Sequence, residues 1–261
     1  MSADLTEELV MDRVARARRA RARVREERLT MAHGAGGKAT QSLVEAVFLE
    51  AFDNPHLAEL DDAAALTVGG TRLAFTTDSY VVSPLFFPGG DIGELAVNGT
   101  VNDLAVAGAR PLYLSAGFIL EEGFPVADLV RIVASMAAAA QAAGVRIVAG
   151  DTKVVRRGQA DGCFITTAGV GVREREHSPS VAAARPGDAV LVSGPVGDHG
   201  MTVLIARGDL DLEVDLRSDT APLHELTAAL LDAAGAGCAA CGTRRGAGSP
   251  RCSTRSRGRP G

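Results

Sequence analysis

From His33 to Thr40 the chain reads His-Gly-Ala-Gly-Gly-Lys-Ala-Thr, which puts three glycines, a lysine and a threonine at the foot of a helical pattern. Such a loop frees backbone N–H groups and sets a cation beside them, a combination suited to phosphate. The spacing is not that of the GxxxxGK[ST] loop, and a glycine-rich helix start taken alone is more often a plain turn. Four acidic positions change the reading: Asp61-Asp62 before an Ala-Ala-Ala-Leu run, Asp78 in Thr-Thr-Asp-Ser-Tyr, Asp103 in Asn-Asp-Leu-Ala and Asp151 in Gly-Asp-Thr-Lys. One such Asp is usually a cap or turn residue. Four of them with a glycine loop point to a nucleotide and a divalent cation, because Mg2+ prefers oxygen ligands and bridges to substrate phosphates. No His-rich or Cys-rich set competes for a softer metal. Cys238 and Cys241 have CxxC spacing, but no second pair or His cluster completes a tetrahedral site, and the pair reads as accidental.

Alternating strands and helices must position these groups. Residues 39–52 carry an apolar stripe at helical spacing, stopped by Asn54-Pro55. Residues 63–68 and 72–76 read as strands about Gly69-Gly70, the second ending at Thr77-Asp78. Residues 93–108 predict a helix, 112–120 a strand, 126–143 an Ala-rich helix, and 145–149 a strand that ends in Gly150-Asp151-Thr152. Strands over 164–172 and 189–193 complete the pattern, an α/β or α+β class with mixed sheets.

The 261 residues are 46% hydrophobic and 23% charged, which suits a globular chain with a sizeable core. No apolar run approaches the roughly 18 to 20 residues that cross a bilayer, and the acidic start is unlike a secretory signal. No membrane association and a cytoplasmic location are therefore expected. The net charge of −5 conceals unequal segments. Residues 1–30 hold eight Arg and six acids, 238–261 hold six Arg and no acid, and the 31–237 stretch is left with 13 basic residues and 26 acids. That balance argues against nucleic acid as a partner. Residues 1–30 read as a charged extension. The last 24 residues contain no Leu, Ile, Val, Phe, Met or Tyr, so 238–261 is expected to be a disordered Arg/Gly-rich tail. The abrupt change at 238 is what a reading-frame shift in a GC-rich gene would produce.

The runs GAGGKATQSLVEAVF, DDAAAL, TTDSYVVSPLFFPGGDIGELAVNGTVNDLAVAGARPLYLSAGFILEEG, GDTKVVRRG and VSGPVGDHG follow one another between residues 31 and 237. In that order they resemble the HypE family of hydrogenase maturation proteins, within the ATP-binding superfamily of aminoimidazole ribonucleotide synthetase, selenophosphate synthetase and thiamine-phosphate kinase. The resemblance implies a two-domain α/β fold: an ATP-binding and dimerisation domain over 31–172, and the start of a second domain over 173–237, incomplete here. It implies a homodimer, ATP and Mg2+ as cofactors, and the carbamoyltransferase HypF and the HypC–HypD complex as partners. The implied reaction is ATP-dependent dehydration of a C-terminal cysteine S-carboxamide to a thiocyanate, the source of the cyanide ligands of the NiFe-hydrogenase iron.

Carried onto this sequence, the resemblance makes Gly34, Gly36, Gly37 and Lys38 phosphate contacts, and Asp62, Asp78, Asp103 and Asp151 the metal and phosphate-site residues, assisted by Asn102. Lys153 would stabilise charge on the activated carbamoyl oxygen or move a proton. It is one of two lysines in the chain, with Lys38, and lies two residues from Asp151; otherwise it is a surface lysine. His199 reads as a loop residue. The sequence departs from the family after Gly237, where the DxTRGG loop, most of the second domain and a terminal Pro-Arg-Ile-Cys would follow; Pro250-Arg251-Cys252 is a weak echo of that terminus. Two alternatives stay open: a truncated, catalytically dead dimerisation or nucleotide-binding module, and another ATP-dependent enzyme of the superfamily, of the small-molecule kinase type.

Overall fold

The structure is a computed structural model, and it describes Val24, residues 26–243 and the backbone of Ser253–Thr254. Most of the charged extension, and Pro250-Arg251-Cys252, lie outside the described residues. The described part divides into two compact units, the first ending at Leu60 and the second comprising residues 61–243 with 253–254.

In the first unit Thr30 and His33 close a short turn over Met31–His33, with the Thr30 N–H 3.1 Å from His33 Nδ1 and the Thr30 hydroxyl 3.0 Å from it. A helix, α1, then runs over residues 38–52 with a wider π-type turn at Val44–Phe48. It stops where Asp53 takes a left-handed φ of 29°. The Asn54 side chain accepts from the Leu57 N–H at 3.0 Å and starts the one-turn helix α2, Pro55–Ala58. Proline at a first helical position loses no hydrogen bond, since that N–H has no partner within the helix.

The second unit is built on a five-stranded sheet in the order β1-β2-β7-β5-β6: β1 Ala64–Val68, β2 Thr71–Tyr80, β5 Arg110–Glu121, β6 Arg146–Val155 and β7 Cys163–Val172. Only β5 and β6 pair in parallel, so the sheet is mixed. A two-stranded ribbon, β3 Phe86–Phe87 and β4 Gly90–Asp91, precedes helix α3, Ile92–Val106. The Asp91 carboxylate caps that helix, accepting from the N–H groups of Gly93 at 2.7 Å and Glu94 at 3.1 Å. Helix α4 is Val126–Ala142. The remaining elements are α5 Asp198–Arg207, α6 His224–Ala234, and the short strands β8 Cys238–Ala240 and β9 Ser253–Thr254.

Strand alternation decides which side chains enter the core. Ala74, Thr76 and Tyr80 of β2, Leu114, Ala116 and Leu120 of β5, and Cys163, Ile165 and Thr167 of β7 are buried beneath Ile92, Val97, Val101 and Leu104 of α3 and Ile132 and Met136 of α4. Two glycines allow this closeness. A Cβ on Gly93 would stand 2.4 Å from the Ile132 carbonyl oxygen, and one on Gly169 2.8 Å from Thr100 Cγ2. The opposite face of the sheet keeps Phe75, Tyr113 and Ile119 exposed.

Several boundaries differ from those read in the sequence. Strand β2 continues past Asp78 to Tyr80, and β6 continues through Gly150-Asp151-Thr152-Lys153, so both carboxylates lie within strands and not at their exits. Ladder pairing with β7 and β5 overrides the local turn propensity of Asp and Gly. Residues 189–193 form no strand beyond a single bridge at Ala189, and Val190, Leu191 and Val192 are exposed. Of the segment expected to be a disordered tail, only residues 238–243 and 253–254 are described, and its opening residues form β8. Cys238, Ala239, Ala240 and Cys241 are buried, and the two cysteines join Val106 and Leu231 in a second core cluster. Cysteine behaves as a small hydrophobe, so the absence of large aliphatic residues did not bar entry. Among the described residues no helix is long and apolar enough to cross a membrane.

Candidate functional site

Three of the carboxylates lie on the helix-covered side of the sheet. Asp62 precedes β1 and Asp103 stands on α3, 7% exposed. The two are bridged by Thr243, whose N–H donates to Asp62 Oδ2 and whose hydroxyl donates to Asp103 Oδ1, each at 3.0 Å. From the other side the Thr76 hydroxyl donates to the Asp62 carbonyl oxygen at 2.8 Å and lies 3.5 Å from Asp103 Oδ2. Burial pushes the Asp103 carboxyl up to about 7, with the charge of Asp62 adding to the shift and the Thr243 and Thr76 hydroxyls opposing it.

Asp78 heads a second chain of hydroxyls. Tyr80 donates to Asp78 Oδ2 at 3.1 Å, its oxygen lies 3.4 Å from the Thr100 hydroxyl, and Thr100 and Thr167 are hydrogen-bonded at 2.5 Å. Thr100 and Thr167 are fully buried. Burial likewise drives the Tyr80 phenol above its ordinary range, so it is a fixed donor at neutral pH. Of the Asp61-Asp62 pair, Asp61 holds a loop, accepting from the Val181 N–H at 3.0 Å.

Asp151 and Lys153 are placed elsewhere. Asp78, Thr167, Ala116 and Gly150 share one row across β2, β7, β5 and β6. Asp151 falls in the next row with Gly117, Thr166 and Ser79, and so faces the opposite side of the sheet. Three strand spacings, about 14 Å, separate β2 from β6. Lys153 Nζ lies 2.8–2.9 Å from the Asp151 carboxylate, and both side chains are 69% exposed. The Lys153 hydrogen bond, then the Thr152 N–H and the lysine charge, hold the Asp151 carboxyl below its ordinary value.

Asn102 is engaged in architecture, donating from Nδ2 to the Ala221 carbonyl at 2.9 Å and accepting from the Leu223 N–H at 2.7 Å. Gly34, Gly36, Gly37 and Lys38 belong to the first unit, where the Gly36 N–H donates to the Thr40 hydroxyl at 2.9 Å. His199 Nδ1 lies 3.0 Å from the Ser218 hydroxyl, and burial lowers its pKa. Among the described residues no group of three or more His, Cys, Asp or Glu side chains is gathered to hold a metal ion. The donors that do converge, Asp62, Asp103 and threonine oxygens, are all hard. They fit Mg2+, which commonly takes one or two carboxylates and completes its shell with water and phosphate.

Sequence reasoning missed Thr76, Tyr80, Thr100, Thr167 and Thr243. The signal for the first two was present, since 76, 78 and 80 share a strand face.

Residues 60–173 match the family model described as AIR synthase related protein, N-terminal domain. Over 209 residues the chain is 56% identical to the carbamoyl dehydratase HypE of Rhizobium leguminosarum, covering 80% of this chain and 60% of that protein. Over that stretch the chain is similar to HypE. The HypE of Rhodobacter capsulatus is 59% identical over 81% of this chain and 63% of its own length. A solved HypE–HypF complex superposes with a TM-score of 0.69 at 54% identity, covering 73% of this chain and 62% of the HypE-like one. A HypE structure in complex with ATP gives 0.60 at 53% identity over 78% of this chain and 61% of that one. The chain thus spans about 60% of the length of the curated proteins it matches.

Proposed function

We propose that this chain serves NiFe-hydrogenase maturation as a HypE-type, ATP-dependent carbamoyl dehydratase that converts a cysteine S-carboxamide to a thiocyanate. The observation that carries the reading is the Asp62–Asp103 pair bridged by Thr243, with Asp78 on the same side of the sheet; a HypE structure bound to ATP supports ATP as the cofactor. ATP with Mg2+ would supply a phosphoryl group that turns the carboxamide oxygen, a poor leaving group, into a good one. The chain's own part is positioning and charge neutralisation. Asp62 and Asp103 would hold the cation, with Asp78, fixed by Tyr80, as a further residue of the metal and phosphate site. Gly34, Gly36, Gly37 and Lys38 would meet phosphates through backbone N–H groups and a cation.

In the same proposal Asp151 and Lys153 act across a homodimer. The outward face of the sheet exposes Phe75, Tyr113 and Ile119, and edge strand β6 exposes Val148 and Val154. A second copy covering that face would bury apolar surface and enclose the Asp151–Lys153 pair. Lys153 would then leave Asp151 to stabilise charge on the carboxamide oxygen. HypF, seen with HypE in a solved complex, is the proposed carbamoyl donor, the HypC–HypD complex the acceptor of cyanide, and the cytoplasm the compartment. Among the described residues Cys163, Cys238 and Cys241 are buried, so none of them stands on an exposed tail that a carbamoyltransferase could engage, which favours an impaired reaction in this chain.

The test is incubation with HypF, carbamoyl phosphate, Mg2+ and ATP, followed by intact-protein mass spectrometry. A thiocyanate adduct that disappears in Asp78→Ala supports the dehydratase. ATP binding without any adduct leaves a nucleotide-binding module, and absence of Mg2+-ATP binding overturns the reading.

A further inference from the structure

The buried cysteine pair precedes, by two residues, the threonine that bridges the acidic pair. Cys238 Sγ and Cys241 Sγ are 3.2 Å apart, and a disulfide needs them only about 1.2 Å closer. The chain before Cys241 is anchored. His177 Nε2 lies 2.7 Å from the Cys238 carbonyl oxygen, the Ser180 N–H donates to the Ala239 carbonyl at 3.1 Å, and β8 pairs with β9. Two residues beyond Cys241, Thr243 spans Asp62 and Asp103 with both its N–H and its hydroxyl. Any change in the Cys238–Cys241 geometry therefore acts at one end of a short strap whose other end rests on the two carboxylates.

We propose that Cys238 and Cys241 are a reversible redox site, a dithiol that closes to a disulfide and thereby sets how firmly Thr243 holds Asp62 and Asp103. The oxidant is a low-molecular-weight disulfide. Cys241, 7% exposed against 0% for Cys238, loses its proton and attacks one sulfur of that disulfide, expelling the first small thiolate. Cys238, deprotonated in turn, attacks the mixed disulfide at Cys241 Sγ, forming the intrachain bond and expelling the second. The two cysteines give up two electrons, the small disulfide becomes two thiols, and the cysteine protons end on them. Closing so short a loop removes freedom from the strap, so the oxidised chain keeps Thr243 on the carboxylates and the reduced chain releases it more readily to an incoming cation. The cation's part rests on the reading of Asp62 and Asp103 under Proposed function; the disulfide does not.

The experiment treats the full chain with oxidised glutathione or with dithiothreitol, and maps cysteines by mass spectrometry in a Cys252→Ser background. Hydrogen exchange at the Thr243 amide and Mn2+ binding are then measured on both forms. The expected result is loss of two hydrogen masses from the peptide holding Cys238 and Cys241. Exchange at Thr243 slows and Mn2+ binding weakens, each on the order of tenfold, with dithiothreitol reversing all three changes and Cys241→Ser abolishing them. Glutathione adducts without closure, or no reaction, overturn the site; closure with unchanged Thr243 exchange overturns the coupling. Absence of Mn2+ binding in both forms defeats the cation reading alone, and Thr243 exchange then decides the proposal. If Cys241→Ser fails to fold, reversal by dithiothreitol in the unaltered chain decides between the same outcomes.

Discussion

Asp103 and Asp151 come from equally plain sequence contexts, yet they sit in opposite environments. Asp103 stands on α3, turned in toward Thr76 of β2 and beside Asp62, and burial pushes its carboxyl up to about 7. Asp151 lies on an exposed edge strand against Lys153, and its carboxyl is held low. Desolvation rules the first and a hydrogen-bonded cation the second. A carboxylate that is costly to ionise where it stands is one that a bound cation relieves. A carboxylate already paired with lysine in water gains little from further charge.

The sharpest way to break this contrast is Asp103→Asn, followed by chemical denaturation across pH in Mg2+-free buffer. In the native chain the folded state holds a proton on Asp103 that the unfolded state has lost. Stability should therefore fall as pH rises from about 4 to about 7 and stay low above that. The variant should lack this slope and be more stable at pH 8 by on the order of 3 kcal/mol. Saturating Mg2+ should narrow the gap by stabilising the native chain alone. A slope retained in the variant would place the titration elsewhere.

Next in size is the effect on ligand binding. Asp62→Ala and Asp78→Ala are each expected to weaken Mg2+-ATP binding by at least about tenfold, since a lost carboxylate leaves phosphate charge less neutralised. In dilute, monomeric protein Asp151→Asn should leave that affinity unchanged. Calorimetry with equal losses in all three would erase the distinction between the two faces of the sheet.

Tyr80→Phe is expected to be milder. It removes the donor to Asp78 Oδ2 and one partner of Thr100, at a cost of about 1 kcal/mol in unfolding free energy. Asp78→Asn retains an acceptor for Tyr80, so its stability should stay nearer to that of the native chain. The smallest effect belongs to Lys153→Met. An exposed ion pair contributes little, so the thermal midpoint should not move; a clear drop would mean that the pair carries a structural load in the fold.

Much of the architecture was legible in the sequence because it is local. The strand about Phe164–Val172, the helix opening near Gly93 and the Ala-rich helix ending near Ala143 follow from periodicity and punctuation. Where turn chemistry met ladder pairing, at Asp78 and at Gly150–Lys153, pairing prevailed, and it is contributed by strands distant in the chain. The burial of the Cys238–Cys241 segment was not legible for a different reason. Small residues give almost no hydrophobic pattern, yet they fit the shallow space beside Val106 and Leu231.

Residue types and their order by themselves determined which groups are available: four aspartate positions, a glycine loop, one lysine beside Asp151, and an α/β succession of elements. Strand parity also determined that Thr76, Asp78 and Tyr80 share a face. Only the tertiary structure decided which face the helices cover, that β6 lies at the sheet's edge with Asp151 turned outward, and that Thr243 reaches Asp62 and Asp103. Those outcomes depend on which strands pair and which surfaces meet, contacts between residues far apart in the chain, and local propensity carries no record of them.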